Sequence, residues 1–245
     1  MSYVLFFLLA LIAELIGTLG GFGSSMLFVP IAGFFFDFKT VLGITAVFHV
    51  LSNSSKLFLF RKRISLKLLL FIGLPSVVFV IIGAGLSSVF QNDFIEISLG
   101  IFLVAASVFL LIKPDFTLKP TIRSSVAGGS AAGFLAGLIG TGGAIRGLSL
   151  AAFNLEKSAF IATSAAIDFG VDLSRSVVYI SNGYFKKGHL WLLPFLLIIA
   201  FLGSWLGKIL LKKVEHEKFK KFVLILILLI GVTMFLKHFL PGEEI

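Results

Sequence analysis

Hydrophobic positions along this chain fall in long blocks separated by short polar turns, with neither strand-like alternation nor the single apolar stripe of a soluble helix. A spanning helix needs about 20 mostly apolar residues, and several blocks meet that length. Tyr3 to Leu19 is interrupted by Glu14, Val41 to Phe60 carries His49, Asn53 and Lys56, Leu68 to Phe90 contains Pro75, and Phe94 to Ile112 closes the first half. After a polar linker, Lys113 to Arg123, come Ser124 to Ile139, Ser158 to Ile180 with Asp168, Asp172 and Arg175, Leu190 to Leu211, and Phe222 to Phe239. Two more blocks, Ser24 to Phe36 and Ala144 to Phe153, are too short for an ordinary crossing and read as half-helices or re-entrant pieces. The pattern predicts an all-α, polytopic membrane bundle of about eight to ten hydrophobic segments, and it lacks the alternation a transmembrane barrel requires.

Each short block follows a glycine-rich break. Gly17 to Pro30 reads GTLGGFGSSMLFVP and Gly137 to Leu150 reads GLIGTGGAIRGLSL, with glycines at the first, fourth and seventh places of both and 120 residues between them. At an offset of 119, Thr45 meets Ser164, His49 meets Asp168, Asn53 meets Asp172, Lys56 meets Arg175, Phe60 meets Tyr179 and Pro75 meets Pro194. The chain is therefore expected to hold two membrane repeats, residues 1–112 and 124–245, joined by a linker at 113–123, with a binding site at their interface. If each short block crosses, the repeats are inverted and the stretches at 61–67, 113–123, 154–157 and 212–221 share one side of the membrane. If each dips and returns, the repeats are parallel. The positive-inside rule favours the inverted arrangement.

A glycine-rich break ahead of a short helix exposes backbone N–H groups at a helix N-terminus, a setting suited to an anion. The candidate ligands are Gly20, Gly21, Gly23, Ser24 and Ser25 in the first half and Gly140, Thr141, Gly142, Gly143 and Arg146 in the second. The plainer alternative is that the glycines let helices pack closely, the serines cap a short helix, and Arg146 snorkels to the interface. His49, Asn53 and Lys56 are spaced i, i+4 and i+7, as are Asp168, Asp172 and Arg175, so each trio lies along one helix face. Ionisable groups inside a membrane face a partner or a wet cavity. Asp172 and Arg175 can pair within their helix, and Lys56 can meet Asp168 or Asp172 across the halves. These groups are either structural ion pairs or coupling and gating residues, with Asp168, Asp172 and His49 as candidates to change protonation; Glu14, one turn before Gly17, has similar status.

Composition sharpens this. The 245 residues are 58% hydrophobic and 13% charged, and the mean hydropathy is +1.09, which marks an integral membrane protein. The net charge of +9 sits mostly in short loops, where anchoring to an anionic leaflet accounts for it without nucleic acid. Cysteine is absent, which excludes disulfides and thiolate chemistry. The four histidines have no metal spacing, and no P-loop, nucleophile elbow or H-E-x-x-H motif is present, so no cofactor is expected. The N-terminus lacks a basic n-region and a cleavage site and reads as a retained first helix.

The segments GTLGGFGSSMLFVP, GLIGTGGAIRGLSL and IATSAAIDF, in this order over Leu15 to Phe239, resemble the TauE/SafE family of membrane transporters. The resemblance implies transport of small organic or inorganic anions, often sulfur-containing, such as sulfite, sulfonates or carboxylates, by an exporter or an ion-coupled permease. Two positions depart from it: Arg146 stands where the pattern is usually apolar or glycine, and Leu150 replaces the proline that Pro30 provides in the first half. The expectation is a secondary transporter for a small anion, proton-coupled, in the inner membrane of a prokaryotic cell. The alternative from another class is a non-transporting membrane scaffold or a lipid-modifying membrane enzyme.

Overall fold

The protein is represented by a computed structural model that describes residues 3–20, 23–61, 64–211, 213–214 and 216–237. Gly21, one of the candidate ligands, lies outside the described residues, as do Lys62, Arg63, Lys212, His238 and the acidic tail. Every extended element among the described residues is helical: α1 Tyr3–Gly20, α2 Ser25–Ala32, α3 Phe38–Phe60, α4 Leu66–Leu86, α5 Asn92–Ile112, α6 Ile122–Leu138, α7 Gly143–Ala151, α8 Lys157–Ser181, α9 Leu192–Leu210 and α10 His216–Lys237. Six of these, α1, α3, α4, α5, α9 and the Lys218–Leu236 part of α10, are long and apolar enough to cross a membrane. Among the others, α6 is 17 residues long and α8 carries the charged trio.

Local chemistry sets several boundaries. Asp37 caps α3 by accepting from the Thr40 N–H at 3.1 Å, and Thr121 caps α6 through a reciprocal pair with Ser124. Pro75 offers no N–H and its ring crowds the preceding turn, and α4 widens to a π-turn over Leu69–Gly73, with the Leu74 N–H reaching the Leu69 carbonyl. α10 begins at His216, six residues before the expected apolar block, because the charged run ahead of Phe222 consists of good helix formers. The short apolar blocks also shrink, since α2 ends at Ala32 and α7 at Ala151.

The short helices fold back on the helices before them. Ser24 packs against Gly17, and Phe6 near the start of α1 meets Phe28, Phe35 and Phe36, so α2 retraces α1 to its starting end. In the same way Gly142 lies against Ala132 and Ser149 against Gly128, so α7 retraces α6. The two hairpins enter from opposite ends. At one end Tyr3 meets Trp191, Phe36 meets His189, and Ser87 meets Tyr184. At the other, Lys208 Nζ donates to the Leu59 carbonyl, Lys220 Nζ to the Pro114 carbonyl, and the Ser65 N–H to Thr163. The second end carries Arg61, Lys113, Lys119, Lys157, Lys208, Lys213, Lys218 and Lys220 and is strongly basic.

Packing runs across the linker. α4 lies on α6, α1 on α9, α3 on both α8 and α9, and α5 on α10. The α4–α6 contact is backbone to backbone: Gly129, Gly133 and Gly137 face Ile72, Ser76 and Val80 with no room for a Cβ. On the α1–α9 contact Gly203 and Gly207 accept Glu14 and Thr18. The apolar outer surface is what a lipid environment requires, with Leu8, Leu70, Ile198 and Leu229 among the exposed side chains.

Candidate functional site

The hairpin tips meet in the middle of the bundle. Gly23 and Gly140 hold the tips with φ of +82° and +84°, a left-handed geometry that side chains resist, and this lets each chain turn sharply into its short helix. The N-termini of α2 and α7 come together there, with the Ser25 and Thr141 hydroxyls 2.9 Å apart. Both helix ends present positive dipoles and uncapped N–H groups to the same point. Between them lies a crevice bordered by Gly23, Ser24, Ser25, Gly140, Thr141, Gly142 and Arg146 from the tips and by His49, Asn53, Lys56, Asp168, Asp172 and Arg175 from α3 and α8. Its free space is about 20 Å³, roughly that of a single water. Gly20 instead borders a separate cavity toward the basic end, and Gly143 is the first residue of α7.

The second-half charges are tightly paired. Arg146, from the second turn of α7, points inward to Asp168 in a salt bridge, and its Nε donates to Ser164 at 3.2 Å. It does not snorkel: its side chain is 8% exposed. Arg175 donates from Nε and Nη2 to Asp172 Oδ1 at 2.8 and 2.7 Å. Its Nη1 donates to the carbonyls of Ala136 and Gly140 at 2.9 and 2.7 Å, so it satisfies the broken end of α6 as well as the carboxylate. Tyr179 adds a hydrogen bond to the Gly137 carbonyl and stacks on Tyr184, whose backbone packs on Gly43, closing the bundle on the less basic side of the crevice.

The first half is organised around Glu14, which is fully buried. Its Oε1 receives Ser52 at 2.7 Å, Ser204 at 2.9 Å and the Lys56 ammonium at 2.9 Å. Its Oε2 lies 2.6 Å from Ser24 Oγ. Lys56 therefore pairs with Glu14, and the expected bond to Asp168 or Asp172 is made at Asp172 by Asn53, whose Nδ2 donates at 2.7 Å. The reason is reach: on the face of α3, Asn53 stands opposite Asp172 of α8, while Lys56, one turn later, sits beside α1. Ser24 does not cap α2; its hydroxyl also approaches His49 Nε2 at 2.8 Å. The His49 ring packs edge-on against Phe28, and Nδ1 donates to the Thr45 carbonyl at 2.8 Å.

The spacing along the chain singles out Glu14 but not Ser52 or Ser204 as its partners, and it marks Ser164 only as the counterpart of Thr45, not as a contact of Arg146. A lone carboxylate in the first 36 residues and a serine between two glycines in an otherwise apolar span were the signals that bore on them. Two further cavities lie on the basic side of the crevice. A small one under Gly17, Gly23, Lys56 and Asp168 shares Phe160 and Ile161 with a larger cavity of about 290 Å³, which reaches Lys157, Lys220 and the linker at the basic end.

No curated protein and no solved structure matches the chain. The family described as Sulfite exporter TauE/SafE matches residues 6–234, nearly the whole length. With the helix hairpins and their apolar surround on the same residues, the chain belongs to the TauE/SafE family, and it is a multi-pass membrane transporter rather than an enzyme.

Proposed function

We propose that this transporter moves a small anion, drawn from sulfite, sulfonates and small carboxylates, and binds it where the N-termini of α2 and α7 meet. The observation that carries the reading is the convergence of two helix N-termini and the Arg146 guanidinium on one buried crevice. Ser24, Ser25 and Thr141 supply hydroxyl donors, Gly23, Gly140, Gly142 and Gly143 keep the backbone close to the cargo, and Arg146 supplies the charge. In the structure Arg146 is engaged by Asp168, and the crevice has space only for a water. An arriving anion competes with Asp168 for the guanidinium. Releasing a buried carboxylate is costly, so the exchange favours a rearrangement of α7 against α8, and Asp168, Asp172, Asn53, Lys56, Arg175 and His49 act as gating and coupling groups.

The two halves function as inverted repeats. Support comes from matched packing: α1 with α2 and α6 with α7, α1 with α9 and α6 with α4, α3 with α9 and α8 with α4. The opposite entry of the two hairpins agrees with this. The basic end faces the cytoplasm of a prokaryotic cell, by the positive-inside rule, and the cavity at Lys157 and Lys220 is the approach from that side.

The test is flux in proteoliposomes. Saturable movement of sulfite, methanesulfonate or succinate is expected, reduced about tenfold or more in Arg146→Ala, as loss of one charge-assisted contact implies. Absence of flux for the whole panel contradicts the reading.

A further inference from the structure

The buried charges of the centre cancel. Among the described residues the buried acids are Glu14, Asp168 and Asp172, and the buried bases are Lys56, Arg146 and Arg175. An anion entering this set leaves one negative charge uncompensated in a site shielded from water, which is unfavourable unless a cation enters with it.

The first half contains a place for that cation. Three contacts run in series: Glu14 Oε2 to Ser24 Oγ at 2.6 Å, Ser24 Oγ to His49 Nε2 at 2.8 Å, and His49 Nδ1 to the Thr45 carbonyl at 2.8 Å. Each needs a hydrogen. The serine hydroxyl brings one, a neutral imidazole brings one, and an ionised carboxylate brings none, so the chain is one proton short. One added proton completes the set of three in either of two ways. Glu14 carries it and donates to Ser24, whose own O–H then donates to His49 Nε2; or His49 carries it, donates to Ser24, and Ser24 donates to Glu14. The second-half acids have no such shortage, because Asp172 faces N–H groups of Arg175 and Asn53 and Asp168 faces the Arg146 guanidinium.

We propose that Glu14, Ser24 and His49 form a proton-binding site, and that one proton enters it with each singly charged anion taken into the adjoining crevice. The proposal rests on the anion-carrier reading above and names its coupling ion. Ser24 and His49 both border the crevice, so the negative charge of the cargo lies against the proton chain. The charged groups facing the chain are Lys56 of α3, bonded to Glu14, and Arg175 of α8, which acts on His49 through space. Thr18 of α1, Ser52 of α3 and Ser204 of α9 add neutral hydroxyls. The two cations repel a proton while the crevice holds no anion, and the cargo offsets them. Coupling of this kind is reciprocal, so the proton in turn strengthens binding of the anion.

Two measurements decide it. The first needs no cargo: infrared difference spectra of the protein in liposomes across a pH step. At the acidic side of the step the wild type is expected to show the band of the added proton, from a protonated carboxyl or an imidazolium, absent in Glu14→Gln and lost or displaced in His49→Gln. The second uses methanesulfonate, which stays ionised at any accessible pH and so brings no proton of its own, with a pH dye in the lumen. Wild-type uptake is expected to acidify the lumen, and an inward proton gradient is expected to speed it about tenfold. In His49→Gln, which leaves the balance of fixed charges intact, the ratio of uptake with and without the gradient falls to unity. Methanesulfonate uptake without acidification, a gradient ratio unchanged in His49→Gln, or neither a carboxyl nor an imidazolium band sensitive to Glu14 and His49 overturns the proton site. A wild type that moves neither methanesulfonate nor sulfite overturns the carrier reading instead, and the infrared result then stands alone for or against the proton site.

Discussion

The polar trio of α3 and the charged trio of α8 share one spacing along their helices but are held in different ways. On α8, Arg175 spreads its donors over Asp172 and two main-chain carbonyls, so one side chain fixes both a carboxylate and the end of α6. On α3 the matching residue is Lys56, a point charge that joins Glu14 and Ser52 and touches no main chain. Where α8 has Asp168, α3 has His49, and where α8 has Asp172, α3 has Asn53. A guanidinium fork makes a fixed strut, whereas an ammonium, an imidazole and a ring of hydroxyls leave room for a proton to move. Under the proposed transport reading, the α8 side is the rigid part, the α1–α3 side the part that exchanges a proton, and Arg146 the contact that the anion opens.

The largest effect should come from breaking the strut. Arg175→Met leaves Asp172 with Asn53 alone and frees the carbonyls of Ala136 and Gly140, a loss of about 3 to 5 kcal/mol for a buried pair. Thermal unfolding in detergent should show little folded protein. Arg175→Lys should rescue only a small part, because it keeps the charge and not the fork. Next is Glu14→Ala, which strands the Lys56 ammonium and costs about 3 kcal/mol, and here the double variant Glu14→Ala/Lys56→Met should regain most of the stability. The equivalent double variant Asp172→Ala/Arg175→Met should not, since the freed carbonyls remain. Equal recovery of both pairs would erase the distinction drawn between the halves.

Smaller effects sharpen it. Asn53→Ala removes one hydrogen bond to a charged acceptor and should lower the unfolding free energy by about 1.5 to 3 kcal/mol, measured in the same melts. Asp37, outside both clusters, serves as a reference: Asp37→Ala removes the α3 cap and should cost about 1 kcal/mol. Partial burial pushes the Asp37 carboxyl up, but the hydrogen bonds from Thr40 and the nearby Lys186 and His189 outweigh it and hold its pKa below the usual value. Its contribution is therefore complete above the ordinary aspartate pKa of about 3.9 and is lost as pH falls below that through the depressed folded value. The wild-type advantage over Asp37→Ala should shrink in that acidic window and stay constant at neutral pH.

Much of the fold was legible because a bilayer leaves few options. Block length and glycine breaks pointed to the helices and to the short segments, and the two polar stripes pointed to the α3–α8 contact, which Asn53 makes in place of the expected Lys56. The stripe spacing brought His49, Asn53 and Lys56 to one side of α3, and these residues do line the crevice. What spacing along one helix cannot give is the partner on a helix distant in sequence. Lys56 went to Glu14 because α1 lies beside the last turns of α3, and Ser204 reached Glu14 from 190 residues away through the close α1–α9 contact that Gly203 permits. The glycines divided by role for the same reason: Gly17, Gly137 and Gly142 allow backbones to touch, while Gly23 and Gly140 turn the tips.

The most direct test of the anion site is to find the anion. Selenite is a heavier analogue of sulfite, and its selenium gives an anomalous signal in crystals of the protein. A single peak is expected between the N-termini of α2 and α7, within hydrogen-bond reach of Ser25, Thr141 and the Arg146 guanidinium, with Asp168 displaced from Arg146. A peak confined to the cavity at Lys157 and Lys220, or no peak at saturating selenite, would contradict the account.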